Sequence, residues 1–129
     1  MLGIRRYHGC AIDVFQGDLA TFVCDGLIHA VSQTIPHSET AQKYYSLTTD
    51  EHSLKDALLA PLQSDVRHLA FGPLLTDAKK AAEVMLTTFK TFLEGRKAGQ
   101  KPQRLTCVVS DADSYQIFQK ALFSTFLEI

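Results

Sequence analysis

The chain has 129 residues, of which 46% are hydrophobic and 21% charged, a composition typical of one globular domain (residues 1–129) and not of a disordered segment. It has 13 Lys and Arg and 14 Asp and Glu, which leaves a net charge of -1. A chain with so small a charge has no long-range electrostatic attraction for nucleic acid, so we do not expect nucleic acid as a partner. No apolar run resembles a signal peptide or reaches the roughly 20 residues of a membrane span, so we expect no membrane association and a cytoplasmic or nuclear location.

Four short apolar segments predict the strands of a sheet. Residues 11–15 alternate apolar and polar side chains, as in a strand with one buried face. Nearly continuous apolar runs, which suit strands of a parallel sheet, form three further segments: 26–31, 66–71 and 105–109. His29 and His68 lie inside two of these runs, where we expect hydrogen-bonded core histidines rather than a catalytic base or a ligand.

Three helices are predicted in the spaces between and after these strands. Candidate capping residues precede each of them: Ser53, then Thr76 or Asp77, then Ser110 or Asp111. Pro61 is expected to kink or end the first helix, and Gly95 to end the second, whose apolar residues recur at steps of three and four. Alternating strands and helices predict an α/β fold, a Rossmann-like three-layer α/β/α sandwich with a mostly parallel sheet.

The segment from residue 32 to residue 53 is the least regular part of the chain. It is polar and contains Pro36, and it predicts only a short helical turn near residues 41–45. Tyr44 and Tyr45 are adjacent aromatic residues in this polar surrounding. They are candidate contacts for a protein partner, and packing against the sheet explains them equally well.

No motif of a catalytic or metal site occurs in the sequence. Cys10, Cys24 and Cys107 lie apart, in or beside apolar runs, which predicts reduced core thiols and no zinc site. There is no GxSxG, P-loop or GxGxxG, so we assign no catalytic residue and expect no cofactor. The basic stretch 96–104 is interpreted as a solvated loop, with an acidic partner or RNA as the alternatives.

The run VFQGDLATFVCDGLIHAVS, residues 14–32, resembles the opening of a macro domain. The matching positions are Gly17, Asp18, Leu19, Asp25, Leu27 and Ile28. The later stretches HLAFGPLLTDAKKAAEVMLTTFKTFLE and LTCVVSDADSYQIFQKAL are similar to the family's phosphate loop with its long helix, and to its last strand and helix. The resemblance implies a macro-like sandwich whose cleft binds ADP-ribose. It makes Asp18, through its carboxylate, and Leu19, through its N–H, the candidates for the adenine end.

The two phosphate loops of that cleft depart from the family's pattern. Residues 30–40 contain neither the Asn nor the Gly of the first loop, and the second loop has lost its glycine. Only Gly readily adopts the backbone conformations of a close phosphate cradle. Asp77 would occupy the N–H donors of the following helix and repel an anion. We interpret five residues as degenerate phosphate loops: Ala30, Ser32, Leu75, Thr76 and Asp77.

These departures predict a non-catalytic interaction or assembly module, as part of a larger ADP-ribosylation-related protein of the multi-domain ADP-ribosyltransferase type. The spacing before residue 66 is shorter than the family's, which predicts a shortened sheet whose edge a protein partner or a second copy would cover. One alternative is a weak reader of ADP-ribose or poly(ADP-ribose), dependent on Asp18. Another is an ADP-ribosyl hydrolase, which the missing Asn and Gly disfavour. A third is an unrelated Rossmann-like assembly domain.

Overall fold

The computed structural model describes residues 3–32, 41–48 and 50–127. The strands within these ranges are β1 Ile4–Tyr7, β2 Cys10–Gln16, β3 Gly26–Ala30, β4 Lys43–Leu47, β5 His68–Phe71 and β6 Arg104–Val109. The helices are α1 Glu51–Ala57, α2 Leu59–Leu62, α3 Ala78–Glu94 and α4 Ala112–Thr125. In this part of the chain no helix combines the length and the apolar character that crossing a membrane requires.

The six strands form one sheet in the order β1-β2-β6-β5-β3-β4. β1 pairs antiparallel with β2, and every other pair is parallel. The predicted mostly parallel α/β sheet is therefore confirmed. Because β2 to β6 run in one direction, their carboxyl ends meet at the same edge of the sheet.

The four predicted strands are present with small shifts of their ends, and two further strands were not predicted. β4 lies where a helical turn was expected near residues 41–45, so that prediction is wrong. It pairs with β3 from Gly26 opposite Lys43 to Ala30 opposite Leu47. The segment between residues 31 and 66 therefore contributes a strand to a sheet that was expected to be shortened there.

β1 and β2 form a tight hairpin at the other edge of the sheet. Tyr7 pairs with Cys10, so His8 and Gly9 alone make the turn. Both have positive φ, 47° and 78°, as a two-residue turn that matches the twist of its strands requires.

The two faces of the sheet carry different layers. Alternate strand residues such as Leu105, Cys107 and Val109 face a large apolar cluster that contains the buried side chains of all four helices. Val108 faces a smaller cluster on the opposite side with Cys24 and other residues. Among the described residues, this second face is covered by the turn at residues 18–25 and by Ala41 rather than by a helix.

The first helix begins earlier than predicted. Asp50, and not Ser53, is its cap: the Asp50 carboxylate accepts a hydrogen bond from the His52 N–H at 3.2 Å, and the Ser53 hydroxyl donates to the same carboxylate at 3.0 Å. Two acceptor oxygens allow an aspartate to bind both groups at once. The sequence pattern favoured Ser53 because it directly precedes the apolar Leu54.

The remaining helix boundaries follow the sequence more closely. The predicted helix around Pro61 is interrupted rather than ended at the proline: α1 stops at Ala57, and Pro61 lies inside the separate short α2. Proline cannot donate to the carbonyl of the preceding turn, and its ring crowds that turn. Asp77 caps α3, which ends at Gly95, and Asp111 caps α4, each as one of the predicted choices.

Candidate functional site

The loops that leave β3 and β5 lie at a topological switch point. The two strands are neighbours in the sheet, yet the chain continues from β3 to β4 on one side and from β5 to β6 on the other. In open α/β sheets, ligands bind where such loops diverge, at the carboxyl ends of the strands. The structure therefore brings the two predicted phosphate loops, residues 30–32 and 75–77, to neighbouring strand ends.

The loop after β5 uses its own carboxylate at the start of α3. One carboxylate oxygen of Asp77 accepts hydrogen bonds from the backbone N–H groups of Lys79, at 2.9 Å, and Lys80, at 3.3 Å. These are the donors that a bound phosphate would use at a helix N-terminus. Leu75 is buried in the large cluster and Thr76 is exposed, so this loop directs apolar side chains into the core.

The loop after β2 contains the predicted adenine-end residues. Asp18 is exposed and caps the 3-10 turn Leu19–Thr21, with Oδ1 accepting from the Ala20 N–H at 3.0 Å. Its Oδ2 accepts no hydrogen bond from the described residues. The Leu19 side chain is buried in the smaller cluster. Asp18 therefore forms the local turn expected of an aspartate and keeps one oxygen available.

The same acidic cap occurs at the carboxyl ends of four strands. Asp18 follows β2, Asp50 follows β4, Asp77 follows β5 and Asp111 follows β6, and each carboxylate accepts from an N–H of its own following turn. A carboxylate at such a position is favourable because the first N–H groups of a helical turn lack partners. Together the four negative charges make this edge of the sheet unfavourable for a diphosphate.

The loop after β3 is described only at its beginning. Ala30 is buried, whereas Val31 and Ser32 are exposed, and the Val31 N–H donates to the Leu47 carbonyl at 2.7 Å. That N–H is thus used in extending the pairing with β4. The rest of this loop, residues 33–40, lies outside the described residues.

Tyr44 and Tyr45, the candidate partner contacts, are half-buried on opposite faces of β4. Tyr45 packs against the large cluster and Tyr44 against the smaller one. Of the two readings that the sequence left open, packing against the sheet accounts for the buried part of both side chains.

The second face of the sheet contains a polar network that the sequence analysis did not identify. The fully buried Thr106 hydroxyl donates to Asp13 Oδ1 at 2.6 Å and lies 2.8 Å from His68 Nε2, and Arg104 donates to Asp13 Oδ2 at 2.6 Å. Because this hydroxyl donates to Asp13, it accepts from His68 Nε2–H. Burial, and secondarily the Arg104 charge, lower the pKa of His68. The sequence pointed to this network only through His68 and Thr106, two polar residues inside apolar strand segments.

The two strand histidines are hydrogen-bonded, as predicted. His29 is buried, and its Nδ1 lies 2.8 Å from the Ala30 carbonyl, which can only accept. His29 Nδ1 therefore carries the proton, and its Nε2 accepts from the Ser46 hydroxyl at 3.0 Å. The ring is held in one tautomer by its neighbours.

The three cysteines are buried and unpaired. Burial raises the pKa of the Cys10 and Cys24 thiols to about 11, and it raises the pKa of Cys107 as well. They are therefore protonated and poor nucleophiles at neutral pH. Within the described ranges, no three His, Cys, Asp or Glu side chains come together to hold a metal ion.

Comparison with known proteins gives similarity in structure but not in sequence. No protein-family model matches the chain, and no curated protein matches it. The chain is similar to the Oceanobacillus iheyensis macrodomain solved with MES bound, with a TM-score of 0.73 and 13% identity over 98% of this chain and 97% of the other. It is also similar to the Trypanosoma brucei macrodomain in complex with ADP, with a TM-score of 0.65 and 10% identity over 86% of this chain and 68% of the other.

At these identities the similarity shows the fold alone, and it agrees with the macro-domain resemblance of the sequence. The similarity covers 98% of this chain in the first of these structures, which includes the mostly parallel six-stranded sheet and its helices. The chain has the macrodomain fold.

Proposed function

We propose that this chain is a non-catalytic interaction module of the macrodomain fold that no longer binds ADP-ribose tightly. By fold it belongs with ADP-ribose-binding modules, and the Trypanosoma brucei macrodomain was solved with ADP. The observation that carries the proposal is the Asp77 carboxylate, which occupies the N–H groups of Lys79 and Lys80 at the switch point. A diphosphate would have to displace that carboxylate and overcome its charge.

Two further features support the proposal. The phosphate-loop positions lack the glycines that permit close backbone approach. The face opposite the helices carries exposed apolar side chains, Phe15 at 47% and Val23 at 71% exposure. Apolar groups near a sheet face that the described residues cover only with a turn suit a protein partner or a second copy of the chain.

Titration with ADP-ribose, followed by NMR chemical shifts, tests the binding part of the proposal. For the unmodified chain we expect a Kd weaker than about 1 mM, because the repulsion and the lost donors offset most of the contact energy. Asp77→Ser keeps a cap and removes the charge, and it should tighten binding by roughly fivefold, corresponding to about 1 kcal/mol.

Asp50→Ser is the matched control, since Asp50 caps α1 by the same contact but does not lie in a loop of the switch point. This variant removes a charge from the same edge of the sheet but outside the switch point, so it should tighten binding less than Asp77→Ser does. A micromolar Kd for the unmodified chain would contradict the proposal, and so would release of ADP-ribose from a modified protein.

A weak reader of the adenosine end is the second candidate. The available Oδ2 of Asp18 favours it, because a carboxylate oxygen can accept a hydrogen bond from the adenine amino group. Asp18→Ala distinguishes the two functions. If the unmodified chain bound ADP-ribose with a micromolar Kd and Asp18→Ala abolished that binding, the chain would be an ADP-ribose reader and not an assembly module.

A further inference from the structure

Arg96 lies directly after the Gly95 cap of α3, near the edge of the sheet opposite the candidate site. Its Nη1 donates to the Gln100 carbonyl at 2.6 Å. The centre of the guanidinium lies 5.9 Å from the centre of the Phe92 ring. These two contacts hold the plane of the guanidinium in one orientation.

The other edge of this guanidinium has no partner within the described part of the chain. Arg96 Nε and Nη2 are both buried, and neither finds a hydrogen-bond acceptor among the described residues. No described carboxylate forms an ion pair with Arg96 either. A buried charged donor without an acceptor is unfavourable, so such groups in folded proteins normally meet a water molecule, an ion or a ligand.

Two surface pockets adjoin Arg96, with volumes of about 410 and 360 Å³. Both are lined by Gln63, Phe92 and Arg96. The larger pocket also contains Lys101, whose ammonium lies 3.9 Å from the Asp65 carboxylate. The Asp65 side chain is 90% exposed, so water largely screens this negative charge.

We propose that Arg96 binds a small oxyanion, the carboxylate or phosphate group of a ligand that enters from these pockets. Nε–H and Nη2–H lie on one edge of the planar guanidinium and point in parallel, which matches two oxygens of such a group. Both nitrogens are buried, so binding requires the Arg96 side chain or a side chain that lines the pockets to move. This site lies away from the switch point and does not depend on the proposed function.

Thermal unfolding of the whole chain in sodium acetate or inorganic phosphate, compared with chloride at equal ionic strength and pH, tests the proposal. An anion that binds only the folded state raises the Tm, by about 4 °C at a tenfold excess over its Kd. The acetate and phosphate arms show which oxyanion the site prefers. Arg96→Met should abolish the shift, and Arg96→Lys, which lacks the fork of donors, should weaken it.

Lys97→Met is the matched control, because Lys97 is an exposed cation of the same loop and should retain the full shift. An NMR titration that follows the Arg96 Nε–H signal with acetate or phosphate gives an independent measurement on the unmodified chain, and it remains decisive if a variant fails to fold. A Tm and an Arg96 signal that respond to neither anion, or a shift that persists in Arg96→Met, would overturn the proposal.

Discussion

Thr106 connects the charged and titratable groups of the second sheet face. Its hydroxyl donates to Asp13 and accepts from His68, and it is fully buried. Arg104 closes the network through a salt bridge of 2.6 Å to Asp13. A network in which each member has a partner stabilises a buried position, whereas removal of one member leaves unsatisfied charged and polar groups.

Thr106→Val should therefore lower the free energy of unfolding by about 2 kcal/mol, because it leaves His68 Nε2–H and Asp13 Oδ1 without their partner at nearly constant volume. Thr88→Val is the control: Thr88 is also buried, but its hydroxyl donates only to the Val84 carbonyl of its own helix. Urea denaturation measures both. Equal losses in the two variants would show that the network adds nothing beyond a single hydrogen bond.

At the scale of elements, the hairpin of β1 and β2 depends on a glycine. A Cβ on Gly9 would lie 2.6 Å from the Gly99 backbone nitrogen, and Gly9 also has a φ of 78°. Gly99 has a similar φ of 88°, but a Cβ there would meet no atom within 4 Å. The two glycines therefore share a positive φ and differ in their surroundings.

We expect Gly9→Ala to destabilise the chain by about 2 to 3 kcal/mol, since it adds backbone displacement to the strain of a positive φ. Gly99→Ala should cost about 1 kcal/mol, from the strain alone. Thermal or urea unfolding of the two variants compares them directly. If Gly99→Ala proved as costly as Gly9→Ala, the close approach of the hairpin to this loop would not be the cause.

The strand β4 was not predicted because its sequence does not alternate between apolar and polar residues. Its sequence, KYYSL, places Tyr44 and Tyr45 on opposite faces, where each packs against a different cluster. The apolar and polar residues therefore do not alternate, and the segment lies in polar surroundings. Only the partner strand β3 makes this segment extended, because strand preference depends more on neighbouring residues than on the residue itself.

At the scale of the whole molecule, the layers that the described residues form on the two faces of the sheet are unequal. All four helices contribute to the large cluster, and the described cover of the second face is a turn with exposed Phe15 and Val23 beside it. The rings of Phe15 and Phe22 lie 5.1 Å apart and extend this apolar surface. An apolar surface on a thin layer is a suitable place for association.

The proposed assembly role predicts self-association through this surface. Size-exclusion chromatography with light scattering should detect an oligomer at high protein concentration, and Phe15→Gln with Val23→Gln should shift the equilibrium toward monomer. Leu127→Gln is the control, because Leu127 is exposed at 73% and directly follows Phe126, which packs in the large cluster. A monomer at every concentration would contradict self-association and leave a different protein as the partner.

Local patterns in the sequence were sufficient for four of the parallel strands, β2, β3, β5 and β6, and for the two long helices. They also narrowed the cap of each long helix to two candidates, Thr76 or Asp77 and Ser110 or Asp111, and gave the resemblance at residues 14–32, because alternation, capping and turn chemistry act over a few residues. The tertiary structure alone decided the place of β4, the partners of Asp13 and Thr106, and the unpaired edge of Arg96. These features depend on residues distant in the chain, which only strand order and helix packing bring together.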